Sequence, residues 1–282
     1  NSTRGVALSN GICPQYGERD PYAMTFAAVD EAVRNAVAVG ADPDRIAILD
    51  NFCWGNPTLP DRLGSLLETS RSCHDAALLY ETPFVSGKDS LYNEYTDEDG
   101  QKHAIPGTLL ISAVGIVPDV SKTVTMDFKK AGNFIFVLGE TKEELGSSHY
   151  ALEYDLSGGT VPQPTEKPLE RFRKLHQAIQ NGWIEACHDC SEGGLAVALA
   201  EMSIAGRLGA SWNALSVLPS AMTKAPLSAE ATLFGETLSR FVLEIKNEHK
   251  ETILKHFAGH TLSELGTVAT TNKFVAYWGM DE

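Results

Sequence analysis

Several short stretches carry side chains whose types and spacing could do chemistry. Residues 187–194 read CHDCSEGG, two cysteines bracketing His188 and Asp189 and running into Ser191, Glu192 and two glycines. A C-x-x-C pair can lower a thiol pKa for redox work or supply half of a tetrahedral zinc site. No second C-x-x-C completes four ligands, and the glycines rather than the cysteines adjoin the apolar stretch that follows, so Cys187 and Cys190 read as small, partly buried residues. Asp189 and Ser191 lie between the strand-like WIEAC and a helix opening at Gly193 or Gly194. Two readings stay open there: amides and glycines that meet a phosphate beside a metal-binding carboxylate, or a helix N-cap by Ser191 or Asp189.

Glu31 and Asn35 stand four apart, on one face of a helix, and both offer oxygen to a hard cation such as Mg²⁺. Such a pair on a surface helix is commonly inert. Here Ala27, Ala28, Ala32, Val33 and Ala36 surround it, which predicts burial, and a buried acid needs a partner or a metal. SGKDS at 86–90 is not a Walker A loop; it reads as a turn or as a phosphate contact. Asp50, in DNFCWGNP, either ends a strand or points into a site at the C-terminal edge of a sheet. His256 and His260, the one histidine pair at ligand spacing, read as helix C-terminal dipole partners, and His188 as a hydrogen-bonded structural residue.

The elements that must position these groups are legible from periodicity. Residues 22–41 have apolar side chains at helical spacing and end at Gly40, a helix stop. RIAILDNF and TLLISAVGIV read as buried strands, 63–79 as a second helix, and NFIFVLGET as a strand that restarts the chain after a polar stretch at 121–132. A domain boundary is expected there, giving domains 1–125 and 126–282. The second half holds a helix in PTEKPLERFRKLHQAIQNG, a strand in RFVLEI, a helix in NEHKETILKHFAG and closing strands in SELGTVATTNKFVAYW. Strands and helices in both halves imply α/β (α+β).

Composition sets the limits. The chain has 282 residues, 43% of them hydrophobic, enough for a substantial core. Its 23 Lys+Arg against 37 Asp+Glu leave a net charge of -14, which argues against a nucleic-acid surface but not against a metal-bound nucleotide. The odd set of five cysteines lacks framework spacing, no apolar run suits a membrane span, and the default setting is cytoplasmic. Structured text follows Asn1 at once, so a piece of a longer chain is expected.

Taken in order, GERDPYAMTFAAVDEAVRNAVAVGADP, IAILDNFCWGNP, PFVSGKDSLYNEY, HDCSEGGLAVALAEM and LFGETLSR resemble the C-terminal half of the phosphoribosylformylglycinamidine synthase family. The resemblance implies an aminoimidazole ribonucleotide synthetase-like fold, with a barrel-forming N-terminal domain and an α/β C-terminal domain. It implies an ATP-dependent ligase of purine biosynthesis that uses Mg²⁺, activates the amide oxygen of formylglycinamide ribonucleotide and lets glutamine-derived ammonia displace it. It further implies Glu31, Asn35 and Asp189 as metal ligands with Ser191 at an auxiliary nucleotide (ATP or ADP), Asp50 and Gly87 as ATP contacts, and Ser90 as a substrate contact. At Lys88 the short-chain pattern has a metal-binding Asn; the lysine instead suits a phosphate. The family's catalytic histidine motif and its glutaminase are absent from this sequence. The expected partners are therefore the N-terminal half of the synthetase and a glutamine amidotransferase, or a homodimer that covers the barrel face, with no nucleic acid or membrane. Alternatives are a non-catalytic nucleotide-binding module, or another ATP-using enzyme of the same fold.

Overall fold

The computed structural model describes residues 2–217 and 227–279. Strand β1 (Gly5–Ile12) comes first, then the short helix α1 (Pro14–Gly17) and the long helix α2 (Pro21–Ala38). They are followed by β2 (Ile46–Cys53), α3 (Pro60–Leu79), β3 (Phe84–Ser90), a small hairpin of β4 (Glu94–Thr96) and β5 (Lys102–Ala104), and β6 (Thr108–Val117). The chain continues through β7 (Phe134–Leu138), α4 (His149–Glu153), α5 (Pro168–Gln180), β8 (Ala186–Asp189), α6 (Gly194–Gly206) and β9 (Gly209–Asn213). Last come α7 (Ala229–Phe234), β10 (Phe241–Ile245), α8 (Lys250–His256), β11 (Leu262–Ala269) and β12 (Phe274–Tyr277).

The strands form a four-stranded sheet in the order β1-β6-β2-β3 and a six-stranded sheet in the order β12-β9-β11-β7-β10-β8. In the first, β2 pairs antiparallel with β6 and parallel with β3. Helix α2 lies against the inner face of this sheet. Asp20 caps it through the Ala23 amide, and the chain leaves it at Gly40 (φ +108) with the Ala41 amide on the Ala36 carbonyl, a Schellman stop. Its run of alanines lets backbones approach closely: a Cβ at Gly11 would strike the Ala28 carbonyl, and the Ser9 hydroxyl reaches the Ala32 carbonyl at 2.6 Å.

The central strands of the second sheet are buried on both faces, which is why FIFVL is a continuous apolar run and FVLEI is apolar but for the buried Glu244. Phe136 and Leu138 enter the same core as α2, α5 and α8, whereas Ile135 and Val137 pack with Leu195, Leu199 and Met202 of α6. The first of these cores runs without a break through both halves, joining Ala28, Ile48 and Ile111 to Phe172, Phe241 and Ile253.

The outer face of the first sheet has no such cover. Val6 (62% exposed), Leu8 (76%) and Ile12 alternate with buried residues along β1, and Val114 joins them from β6. One local expectation is corrected: SGKDS is not a turn but part of β3. Parallel pairing with β2, from Leu49 opposite Ser86 to Cys53 opposite Ser90, holds it extended, and its polar composition reflects an exposed sheet edge.

Candidate functional site

Two places gather the residues singled out above, and they differ in kind. The first is the β8–α6 junction. Asp189 ends β8 and is 4% exposed. Its Oδ2 accepts from Arg34 Nε at 3.2 Å and from the Ser191 hydroxyl at 2.8 Å, while the Asn35 amide stands 3.4 Å from Oδ1. Arg34 also donates to Ser191 Oγ at 2.8 Å and pairs closely with Asp30, one helical turn back on α2. Asp30 is buried, and it accepts in addition from the Tyr80 hydroxyl at 2.7 Å and from the Ser239 amide at 2.8 Å.

Burial alone would raise the Asp189 carboxyl, but the His188 ring, the Arg34 guanidinium and the Ser191 hydroxyl outweigh it and bring the pKa down to about 2. Glu31 goes the other way. Burial raises its carboxyl despite Arg34, and its Oε2 accepts from the Ile12 amide at 2.9 Å.

Helix α6 starts at Gly194 after Gly193 in the left-handed region (φ +74), so neither Ser191 nor Asp189 is the N-cap. The Gly193 amide donates to Glu236 Oε1 at 2.9 Å, as does the His149 amide, and the Tyr16 hydroxyl donates to the other oxygen of the same carboxylate. Both glycines are demanded by packing: a Cβ at Gly193 would strike Val197, and one at Gly194 the Gly235 carbonyl. The cavity left among Cys13, Glu31, Arg34, Ser191 and Glu236 measures about 10 Å³, room for one water at most.

The proposed ligands Glu31, Asn35 and Asp189 therefore converge, but they do not fit a magnesium-bound nucleotide. Asp189 already serves a guanidinium, Ser191 is bound to Arg34 and Asp189, and the space is filled. Among the described residues no group of three or more His, Cys, Asp or Glu side chains could hold a metal ion.

The second place is the β2–β3 edge. Asp50 and Gly87 are paired in register, and a Cβ at Gly87 would run into the Asp50 carboxylate, so the glycine is what lets that carboxylate lie over β3. Burial and then the Asp89 charge raise the Asp50 carboxyl, opposed by the Lys88 amide. Strand alternation puts Asp50, Gly87 and Asp89 on the helix side of the sheet, and Asn51, Lys88 and Ser90 on its open face. Lys88 donates to the Ser90 hydroxyl. The expected set of Asp50, Gly87, Lys88 and Ser90 is thus adjacent in register but divided between two faces.

The thiols are unpaired with one another. All five cysteines are free; Cys187 packs in the core shared with α2 and Cys190 in the core under α6, and burial raises both thiols. His188 is hydrogen-bonded, its Nε2 2.8 Å from Glu201, and His256 Nε2 donates to the Lys174 carbonyl at 2.8 Å. Sequence reasoning missed Arg34, Asp30, Glu236 and Asp89. The signal for two of them was present: Asp30 and Arg34 are an i,i+4 acid–base pair inside the same alanine-rich helix.

Residues 2–117 match the family described as AIR synthase related protein, N-terminal domain, and residues 130–279 match its C-terminal domain. The phosphoribosylformylglycinamidine synthase subunit PurL of Methanocaldococcus jannaschii is 37% identical over 254 residues, 89% of this chain and 34% of that protein. The corresponding subunit of Deinococcus radiodurans is 39% identical over 276 residues, 94% of this chain and again 34% of the relative. The chain thus spans about a third of the length of these curated relatives. Among solved structures, Thermotoga maritima PurL complexed with FGAR superposes with a TM-score of 0.78 at 17% identity, over 99% of this chain and 44% of that one. The HypE–HypF complex superposes with a TM-score of 0.74 at 14% identity, over 100% of this chain and 91% of that one. These two likenesses concern the fold. Among the described residues no helix is long and apolar enough to cross a membrane.

Proposed function

Since the chain belongs to the AIR synthase related family and is PurL-like in sequence, we propose that it serves as part of an ATP-dependent phosphoribosylformylglycinamidine synthase, contributing the β2–β3 edge to a composite site. The observation that carries this reading is the Asp50 carboxylate held over Gly87 in the parallel β2–β3 pair, on the helix side of an exposed edge strand. Asp50 and Asp89 are the donors suited to the cation that accompanies a nucleoside triphosphate, since a cation there relieves the burial and repulsion that raise the Asp50 carboxyl. That cation, once bound, neutralises phosphate charge. Lys88 and Ser90, on the opposite, open face, offer a point charge and a hydroxyl to a ligand on that face.

The bare apolar face of Val6, Leu8, Ile12 and Val114 suits cover by a further sheet, which the barrel implied by the resemblance would draw from the N-terminal half of the synthetase. Ammonia would come from a glutamine amidotransferase. The test is reconstitution: with that half, formylglycinamide ribonucleotide and ammonia, ATP-dependent turnover is expected, and Asp50→Ala lowers it at least about tenfold, the loss of one good contact. A well-folded pair without turnover sinks the proposal.

A second reading has one observation in its favour. A chain of the HypE–HypF complex is matched over 91% of its own length, so a chain of this fold need not carry a second such half. Two copies would then pair their bare sheets, and light scattering of the isolated chain separates a dimer from a monomer awaiting its other half.

A further inference from the structure

The β8–α6 junction has the parts of a metal-nucleotide site: a strand-end carboxylate, two glycines, a helix N-terminus and an acid four residues from an amide on the facing helix. Each part is already engaged. The Asp189 oxygens face Arg34, Ser191, Asn35 and His188. The Gly193 amide, which would greet a phosphate, donates to Glu236 at 2.9 Å, and the guanidinium of Arg34, 4% exposed, sits between Asp30 and Asp189.

We propose that the junction carries its own counter-ions. Arg34 stands where a divalent cation would sit against Asp189, Glu236 stands where a phosphate would meet the Gly193 amide, and the two halves are clasped there without metal or nucleotide.

Charge and connectivity both support this. A divalent ion beside Asp189 would lie against a fully buried guanidinium, a repulsion in a medium of low dielectric. A phosphate at Gly193 would have to displace a carboxylate that three donors hold: the amides of Gly193 and His149 and the hydroxyl of Tyr16. These bonds join elements far apart in sequence. Arg34 of α2 reaches β8, Asp30 reaches the Ser239 amide just before β10, and Glu236, between α7 and β10, reaches Tyr16 in the first half. A bound ion and nucleotide could provide the same cross-links, so their replacement by side chains keeps the clasp but removes its dependence on ligand.

Manganese broadening of amide resonances tests the idea on the chain itself. In the unsubstituted chain, Mn²⁺ should leave the amide signals of Cys190 to Gly194 sharp, and Mg-ADP should not shift them. Arg34→Ala should make those signals sensitive to Mn²⁺, and Mg²⁺ should raise its melting temperature while leaving the parent's unchanged, because a ligand stabilises only a state that binds it. Broadening or Mg-ADP shifts at those amides in the parent overturn the proposal. So does a folded Arg34→Ala that gains no response to Mn²⁺. Should that variant not fold, the parent titration decides alone, with Arg34→Lys as a second chain that keeps the positive charge and stays unresponsive. Signals of Gly87 and Lys88 report the β2–β3 edge separately, so failure of the nucleotide reading there is distinguishable from failure here.

Discussion

The β8–α6 junction and the β2–β3 edge are built from similar parts, a strand aspartate with glycine nearby, and they end in opposite states. At the junction the aspartate is 4% exposed and its charge is met within the chain by Arg34 and His188. At the edge Asp50 is half-buried, faces the like charge of Asp89, and has only backbone amides, its own and that of Lys88, to offset it. Burial makes the difference. A carboxylate withdrawn from water must find a cation or hydrogen-bond donors as the chain folds, whereas one left partly in solvent can wait for a ligand to bring the cation. Resemblance alone assigns ligands to both places; the junction meets the charge of its aspartate within the chain, and the edge does not.

Three substitutions or conditions can break or sharpen that contrast. The largest effect belongs to the junction: Asp189→Ala removes one partner of a buried pair and should cost about 3 kcal/mol in urea unfolding, while Asp50→Ala should cost less than about 1 kcal/mol. Equal costs would mean the two places do not differ as described.

The second effect is on acid stability. Asp189 titrates at about 2 when folded and near 3.9 when unfolded, so its stabilisation is complete above the unfolded value and is lost as pH falls through the folded one. The drop should amount to about 2–3 kcal/mol. Glu31, whose carboxyl is raised, works in the opposite sense: the folded state takes up its proton first, so stability from this group rises as pH falls through its raised value. Asp189→Asn should flatten the acid limb of the stability curve; an unchanged limb would rule out Asp189 as its source.

The smallest effect on stability is expected at Gly87. Its Cβ would displace the Asp50 carboxylate on an exposed edge strand. Gly87→Ala should change the urea midpoint little yet weaken Mg-ATP binding about tenfold, or about 1.4 kcal/mol, by calorimetry. Unaltered affinity would remove Asp50 from the nucleotide contacts.

Much of the framework is legible in the sequence because it rests on local periodicity. The alanine-rich helix at 22–41, the strands at 45–52 and 108–117, and the junction helix after Gly193 all follow from apolar spacing and glycine stops. The pairing inside α2 was equally local, but attention to oxygen ligands at Glu31 and Asn35 passed over Asp30 and Arg34, the pair that fills the site. SGKDS misleads for another reason. Its polar residues match a turn, and only the parallel partner strand β2 makes it extended. Glu236 carries no local signal at all, since its three donors come from residues 16, 149 and 193.

The amino-acid order by itself determined most of the helices and strands, the α/β class and the family resemblance. Those depend on spacing along one chain and on the burial that apolar patterns imply. The tertiary structure alone decided which charges cancel. It set Arg34 rather than open space against Asp189, gave the Gly193 amide to Glu236, and divided Asp50 from Lys88 and Ser90 across a sheet. Electrostatic compensation depends on distance through space and on exclusion of water, and neither quantity exists until the segments have been brought together.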